Sequence, residues 1–152
     1  MKLLIATFFV FIFANQSSAQ EAGTNARLAF EHWYCHSIIG FMPEDKKRQL
    51  EKKSLKHAET GIKYARSMFA EINKFGSKNQ ADWDQNAPFI WSYYVNQGPS
   101  EDFIIGRLYE QTQNSAYDDI NKNMDGTFIV DATLRQSAAS NEYEKRNCKI
   151  LR

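Results

Sequence analysis

Only two cysteines occur in the chain, Cys35 and Cys148, and they lie towards opposite ends of its 152 residues. A bond between them would close a loop of more than a hundred residues and hold the first and last segments side by side. Disulfides persist in oxidising compartments and are rare in the cytosol. The cysteine pair therefore constrains the fold only if the chain is exported.

The first 19 residues have the pattern of a secretory leader. Lys2 gives a positive start, residues 3–14 are apolar apart from one threonine, and small residues precede Gln20. An apolar run of this length is short for a membrane span and typical of a cleaved signal. We expect cleavage after residue 19 and export, to the periplasm of a bacterium or otherwise to the secreted space.

In an oxidising compartment the two cysteines are predicted to form an internal disulfide. The alternatives are two separate buried thiols, or a covalent dimer through one exposed cysteine. The remaining residues, 20–152, are enough for one domain with its own core. Seven glycines and three prolines are few for a turn-rich sandwich. We therefore predict an all-α fold, a single compact domain of about five helices whose first and last helices are joined by the disulfide.

Helix boundaries follow from capping residues and breakers. Pro43 ends the first helix and suits the first turn of the second, and Gly61 weakens the case for one continuous second helix. Ser100 is a candidate N-cap, and residues 77–87 are polar enough to predict a loop. The predicted helices cover about 24–42, 43–75, 88–96, 100–120 and 131–150.

Charge is unevenly distributed along the sequence. Residues 43–78 carry ten basic and five acidic side chains, whereas residues 82–131 carry two basic and nine acidic ones. No segment is basic enough to indicate nucleic-acid binding, and no apolar run after the leader is long enough to span a membrane. The basic stretch is interpreted either as a solvated face, neutralised by the acidic segment, or as a surface that steers an acidic partner or an anionic envelope surface. Lys52, Lys53 and Lys56 are its predicted steering charges.

Five aromatic side chains crowd into residues 83–94, too many for one short helix to bury against one neighbour. Such a cluster is either core or a surface that binds a partner. As partner contacts we predict Trp83, Trp91, Tyr93 and Tyr94.

Two patterns resemble ligand sites. His32, Cys35 and His36 have helical spacing that suits a metal, but a disulfide removes the thiolate. Residues 121–132 resemble a calcium loop, but the first position is an amide and the last is Ala132. Both are interpreted as structural, and no metal or cofactor is predicted.

No nucleophile elbow, zinc-protease motif or phosphate loop occurs in the sequence. The leading hypothesis is an exported, non-enzymatic binding protein that engages another protein, in an inhibitor or immunity-type role. The alternatives are a small-ligand or metal-binding protein of the cell envelope and, least favoured, an enzyme.

Overall fold

The computed structural model describes residues 21–75, 79–123 and 125–151, which form six α-helices and no strand. The all-α prediction is confirmed, with one helix more than expected. The predicted leader at residues 1–19 lies outside the described residues. The helices are α1 (Glu21–Ile39), α2 (Glu44–Phe75), α3 (Gln80–Asn86), α4 (Trp91–Tyr94), α5 (Glu101–Asn121) and α6 (Ala132–Lys145).

Helix α1 lies at the centre and contacts α2, α3, α5 and α6. It contributes to two hydrophobic clusters, one around Trp33 and the other around Tyr34 and Ile38. Consecutive residues can serve different clusters because a helix turns by about 100° per residue. This explains why most of α1 is apolar.

Helix α2 is continuous, and Gly61 is not a break in it. The residue is buried against the indole of Trp33, whose Nε1 donates to the carbonyl oxygen of Ala58 at 3.2 Å. The absence of a side chain at position 61 lets α1 and α2 approach closely.

The loop predicted at 77–87 is wrong, because α3 occupies most of that segment. The Asn79 side chain accepts hydrogen bonds from the backbone N–H groups of Ala81 and Asp82 and caps the helix. The buried Asp82 carboxylate then accepts a 2.6 Å hydrogen bond from the N–H of Gly23 at the start of α1. A seven-residue helix has too few turns to show hydrophobic periodicity in the sequence.

The last two helices begin at side-chain caps. Ser100 caps α5 as predicted, and Asp131 caps α6 by accepting from Thr133 and Leu134. Helix α6 ends at Lys145, earlier than predicted, and Asn147 follows with a φ of 55°. This left-handed residue reverses the chain and directs Cys148 back towards α1.

Cys35 and Cys148 form the predicted disulfide, with their Cα atoms 5.6 Å apart and both residues fully buried. It joins α1 to the turn that follows α6. An ion-pair cluster supports the same junction. Arg146 lies over the Tyr34 ring, 3.7 Å from its centroid, and pairs with Glu31, Asp119 and Glu142.

Candidate functional site

The first half of α2 carries six lysine and arginine residues between positions 46 and 56. We define the basic face as Lys46, Arg48, Lys52, Lys53 and Lys56 of α2 together with Lys149, which follows the disulfide. All are exposed except Lys53, which is half-buried. The Lys53 ammonium donates a hydrogen bond to the carbonyl oxygen of Lys149, which joins the two parts of the face.

The cations of the basic face form no close ion pair with a carboxylate in the described part of the protein. None of the six has a described carboxylate oxygen within 4.0 Å; on this half of α2, only Lys47 has one, pairing with Glu44 at 3.8 Å. The acidic segment does not approach the face through ion pairs. Its carboxylates pair elsewhere: Asp102 with Arg66, Asp118 with Lys122, and Asp119 with Arg146.

A cavity of about 270 Å³ opens on the basic face between α2 and the C-terminal turn. We call it the lysine cavity. Among the described residues that line it, three carry an ammonium group and none is acidic. The lining residues are Lys53, Lys56, His57, Lys149, Ile150 and Leu151.

His57 lies beside this cavity and is itself 3% exposed. Its Nε2 lies 3.1 Å from the carbonyl oxygen of Cys148, so Nε2 carries the proton and donates. Its Nδ1, 2.9 Å from Nδ1 of His32, is then the acceptor. Burial, followed by the interaction with His32 and the positive charge of Lys53, lowers the pKa of His57 from 6.5 to about 4.

Two of the predicted partner contacts are core residues. Trp83 is 1% exposed and donates from Nε1 to the Ser92 hydroxyl at 2.8 Å, and Trp91 is fully buried against Phe30 and Trp33. A partner cannot reach either indole without opening the fold, so both assignments are corrected. The cluster fills the space between α1 and the short helices α3 and α4. The sequence alone did not reveal that α1 packs against these short helices.

The other two predicted aromatic contacts differ in exposure. Tyr94 is half-buried and lies beneath the guanidinium group of Arg107, 5.3 Å from its ring centroid. Tyr93 is 55% exposed and packs edge-on against Phe89, which is 78% exposed. Tyr93 and Phe89 therefore present the accessible aromatic surface of this segment.

The accessible aromatic residues and the basic face lie near different stretches of α2. Helix α4 packs on α5, and the first turn of α5 reaches α2 through the 3.0 Å pair of Asp102 with Arg66. At 1.5 Å per residue, about 20 Å of helix separates Arg66 from Lys53. The structure thus does not bring Lys52, Lys53 and Lys56 into one patch with the aromatic residues.

His36 meets Ser54, a pairing that the sequence analysis missed. His36 Nδ1 lies 2.8 Å from the Ser54 hydroxyl and 3.1 Å from the Ser54 carbonyl oxygen. Because a carbonyl only accepts, Nδ1 carries the proton, and the hydroxyl accepts from it instead of donating to it. In this arrangement the ring donates a hydrogen bond to the serine and does not accept its proton. The two residues come from different helices, and no sequence spacing links them.

The residues of the two predicted ligand patterns are engaged locally. Asp125 accepts from the Thr127 N–H and hydroxyl, and Asn121 donates to the carbonyl oxygen of Tyr117. The turn is closed by an isolated bridge between Lys122 and Phe128. Among the described residues, no three His, Cys, Asp or Glu side chains are grouped closely enough to hold a metal ion.

No protein-family model, curated protein or solved structure matches this chain. In the part of the chain that the structure describes, none of the helices combines the length and apolarity needed to cross a membrane.

Proposed function

We propose that this is an exported, non-enzymatic binding protein that engages an acidic surface of another protein through the basic face. The observation that carries the proposal is the set of six cations that find no described carboxylate within ion-pair distance. A complementary partner supplies those carboxylates, accelerates encounter and excludes partners of like charge. Such a protein suits an inhibitor or immunity-type role, in which occupying a surface is itself the function.

Apolar side chains next to the face supply contact area. Leu55 is 57% exposed on α2, three residues from Lys52, and Ile150 is 70% exposed at the rim of the lysine cavity. Residues three apart on a helix are neighbours on its surface. Buried apolar anchors surrounded by charges are typical of protein interfaces, where the charges set the association rate and the anchors set the lifetime.

Export is supported by the disulfide, which is compatible with an oxidising compartment. The predicted secretory signal at residues 1–19 would direct the chain to that compartment. An exported binding protein also benefits from a covalent link near the binding face, and Cys148 directly precedes Lys149 of that face.

The alternatives have less support in the geometry. A metal site at His32 and His36 has no third ligand in the described residues, where no three His, Cys, Asp or Glu side chains are grouped closely enough and Cys35 is held in the disulfide. A hydrolytic role needs a histidine that accepts the serine proton. Here His36 Nδ1 is the donor and the Ser54 hydroxyl is the acceptor.

The proposal is tested by photo-crosslinking in the cells that export the protein. A photoreactive residue at Lys52 is compared with one at Lys74, which is exposed on the far end of α2. We expect a discrete protein adduct at position 52 and none at position 74. The purified partner should then bind more weakly as salt rises, and at least tenfold more weakly to a variant with K52E and K56E.

Equal crosslinking at the two positions would contradict the proposal. So would an affinity that neither salt nor the double charge reversal changes.

A further inference from the structure

The lysine cavity differs from two larger cavities that also reach the basic face. Glu44 and Glu51 line one of them and Glu144 lines the other, whereas the described lining of the lysine cavity holds no acidic residue. The volume of the lysine cavity, about 270 Å³, lies just below the range of sites for drug-sized ligands, about 300–1,000 Å³. It corresponds to about nine water molecules at ~30 Å³ each. A space of this size suits one small polar group with its hydration water, and not a cofactor.

The charged side chains among the described lining residues of the cavity are all lysines. Lys53, Lys56 and Lys149 line it, and none of them has a described carboxylate within 4.0 Å. Ammonium groups that share one concave space repel each other, and an anion placed between them removes that repulsion.

The cavity is also held in shape before any ligand arrives. The Lys53 ammonium is tied to the carbonyl oxygen of Lys149, and the preceding residue, Cys148, is bonded to α1 through the disulfide. His57 forms part of the wall and fixes the carbonyl of Cys148 through its Nε2–H. A preformed site loses less conformational entropy on binding than a mobile one.

We infer that the lysine cavity is a binding site for one oxyanion group, supplied as a side-chain carboxylate of the acidic partner. The carboxylate lies between the ammonium groups of Lys56 and Lys149, and Lys53 completes the site. Charge-assisted hydrogen bonds from ammonium donors to a carboxylate are the strong class of hydrogen bond. This inference rests on the proposed function for the source of the carboxylate, but not for the existence of the anion site.

The pKa of His57 can be used to detect an anion in the cavity even when the partner is not known. The positive charge of Lys53 is one of the causes that lower the pKa of His57, so an anion beside Lys53 acts in the opposite direction. The probe is inorganic sulfate, which stays anionic across the range in which His57 titrates. The His57 ring proton is followed by NMR against pH, in sulfate and in chloride of equal ionic strength.

We expect sulfate to raise the pKa of His57 relative to chloride and to shift the amide signals of Lys149 and Ile150. The K56Q variant should bind sulfate about tenfold more weakly, by the loss of one charge-assisted hydrogen bond. The matched control is K63Q, which removes an exposed lysine of the same helix outside the cavity. Identical titrations in sulfate and chloride, or equal weakening by K56Q and K63Q, would overturn the inference.

A second titration at pH 7 identifies the source of the anion. We expect a hexaglutamate peptide to shift the signals of Lys149 and Ile150 and to displace sulfate. If inorganic phosphate binds and hexaglutamate does not, the carboxylate assignment is wrong and the site takes a free anion. If sulfate moves His57 but crosslinking at Lys52 finds no partner, the anion site stands and the proposed function fails.

Discussion

The indole of Trp33 lies directly against the backbone of Gly61, so that a Cβ on Gly61 would fall 2.3 Å from the Cδ1 and Nε1 atoms of that ring. Trp33 is 1% exposed and rigid, and it cannot move aside without disturbing the core around it. We expect G61A to lower the free energy of unfolding by about 3 kcal/mol, at the upper end of overpacking effects. Urea denaturation of the two proteins measures this difference.

Gly106 is the matched control, because a Cβ there meets nothing within 4 Å. It lies inside α5, where alanine restricts the unfolded chain and favours the helix. We expect G106A to stabilise the protein by about 0.5–1 kcal/mol. If G61A lowers and G106A raises the free energy of unfolding, the cost at Gly61 comes from Trp33 and not from helix propensity.

The disulfide should make a large contribution to stability, because Cys35 and Cys148 are 113 residues apart. The chain-entropy model gives about 4–5 kcal/mol for a loop of this size. We expect the C35A/C148A double variant to lose stability on this scale in urea denaturation. Mass spectrometry of the unreduced wild type should give the mass of the chain less two hydrogens, and an unchanged midpoint in the variant would contradict the prediction.

Acid should destabilise the protein through His57. Its pKa is about 4 in the folded state against 6.5 as its ordinary value, so the unfolded state binds more protons between these two values. Stability is therefore full above about pH 6.5 and is lost as the pH falls towards 4, by about 3 kcal/mol in total. Protonation at Nδ1 is opposed by burial, by the donor of His32 and by the charge of Lys53.

The comparison for this pH effect is H57Q, which removes the titrating ring. We expect urea midpoints of H57Q to vary less between pH 6.5 and pH 4 than those of the wild type. The lowered pKa values of Asp125 and Asp131 give both proteins a loss in acid of the same sign, at lower pH. Parallel pH profiles for the two proteins would show that His57 is not the cause.

Arg146 holds α6 against α1 by several contacts at once. Its guanidinium group stacks on Tyr34 and pairs with Glu31, and its side chain is only 25% exposed. Lysine keeps the charge but not the planar stacking and forked geometry. We expect R146K to cost about 1 kcal/mol and R146A about 2 kcal/mol, because alanine leaves half-buried carboxylates without their cation. Equal stability of R146A and the wild type would contradict this role.

The long elements were predictable because their signals are local and repeated. Ser100 caps helix α5 as expected, since a serine followed by two acidic residues is a recognisable start signal for a helix. Helix α3 was not predictable, because its stabilising contact is the hydrogen bond from Gly23 to Asp82, 59 residues apart. The role of Gly61 was not predictable either, because it depends on the contact with Trp33 of another helix.

The candidate site was predictable in its charges but not in its shape. The lysines of α2 are visible in the sequence, whereas Lys149 joins them only because the disulfide and the turn at Asn147 bring the chain back. Burial of Trp83 and Trp91 was equally hidden, since aromatic spacing alone does not show what covers a short helix.

We expect that the positive charges of the basic face are not needed for folding. Lys52 lies four residues from both Arg48 and Lys56, and like charges at this spacing destabilise a helix. In K52E the new carboxylate has two cations within reach, and we expect a gain of about 0.5 kcal/mol in the free energy of unfolding. The same variant should bind the partner more weakly, and K63E on the same helix should leave that affinity unchanged. A stability gain together with a loss of affinity would assign these lysines to binding, whereas a loss of both would mean that the face supports the fold.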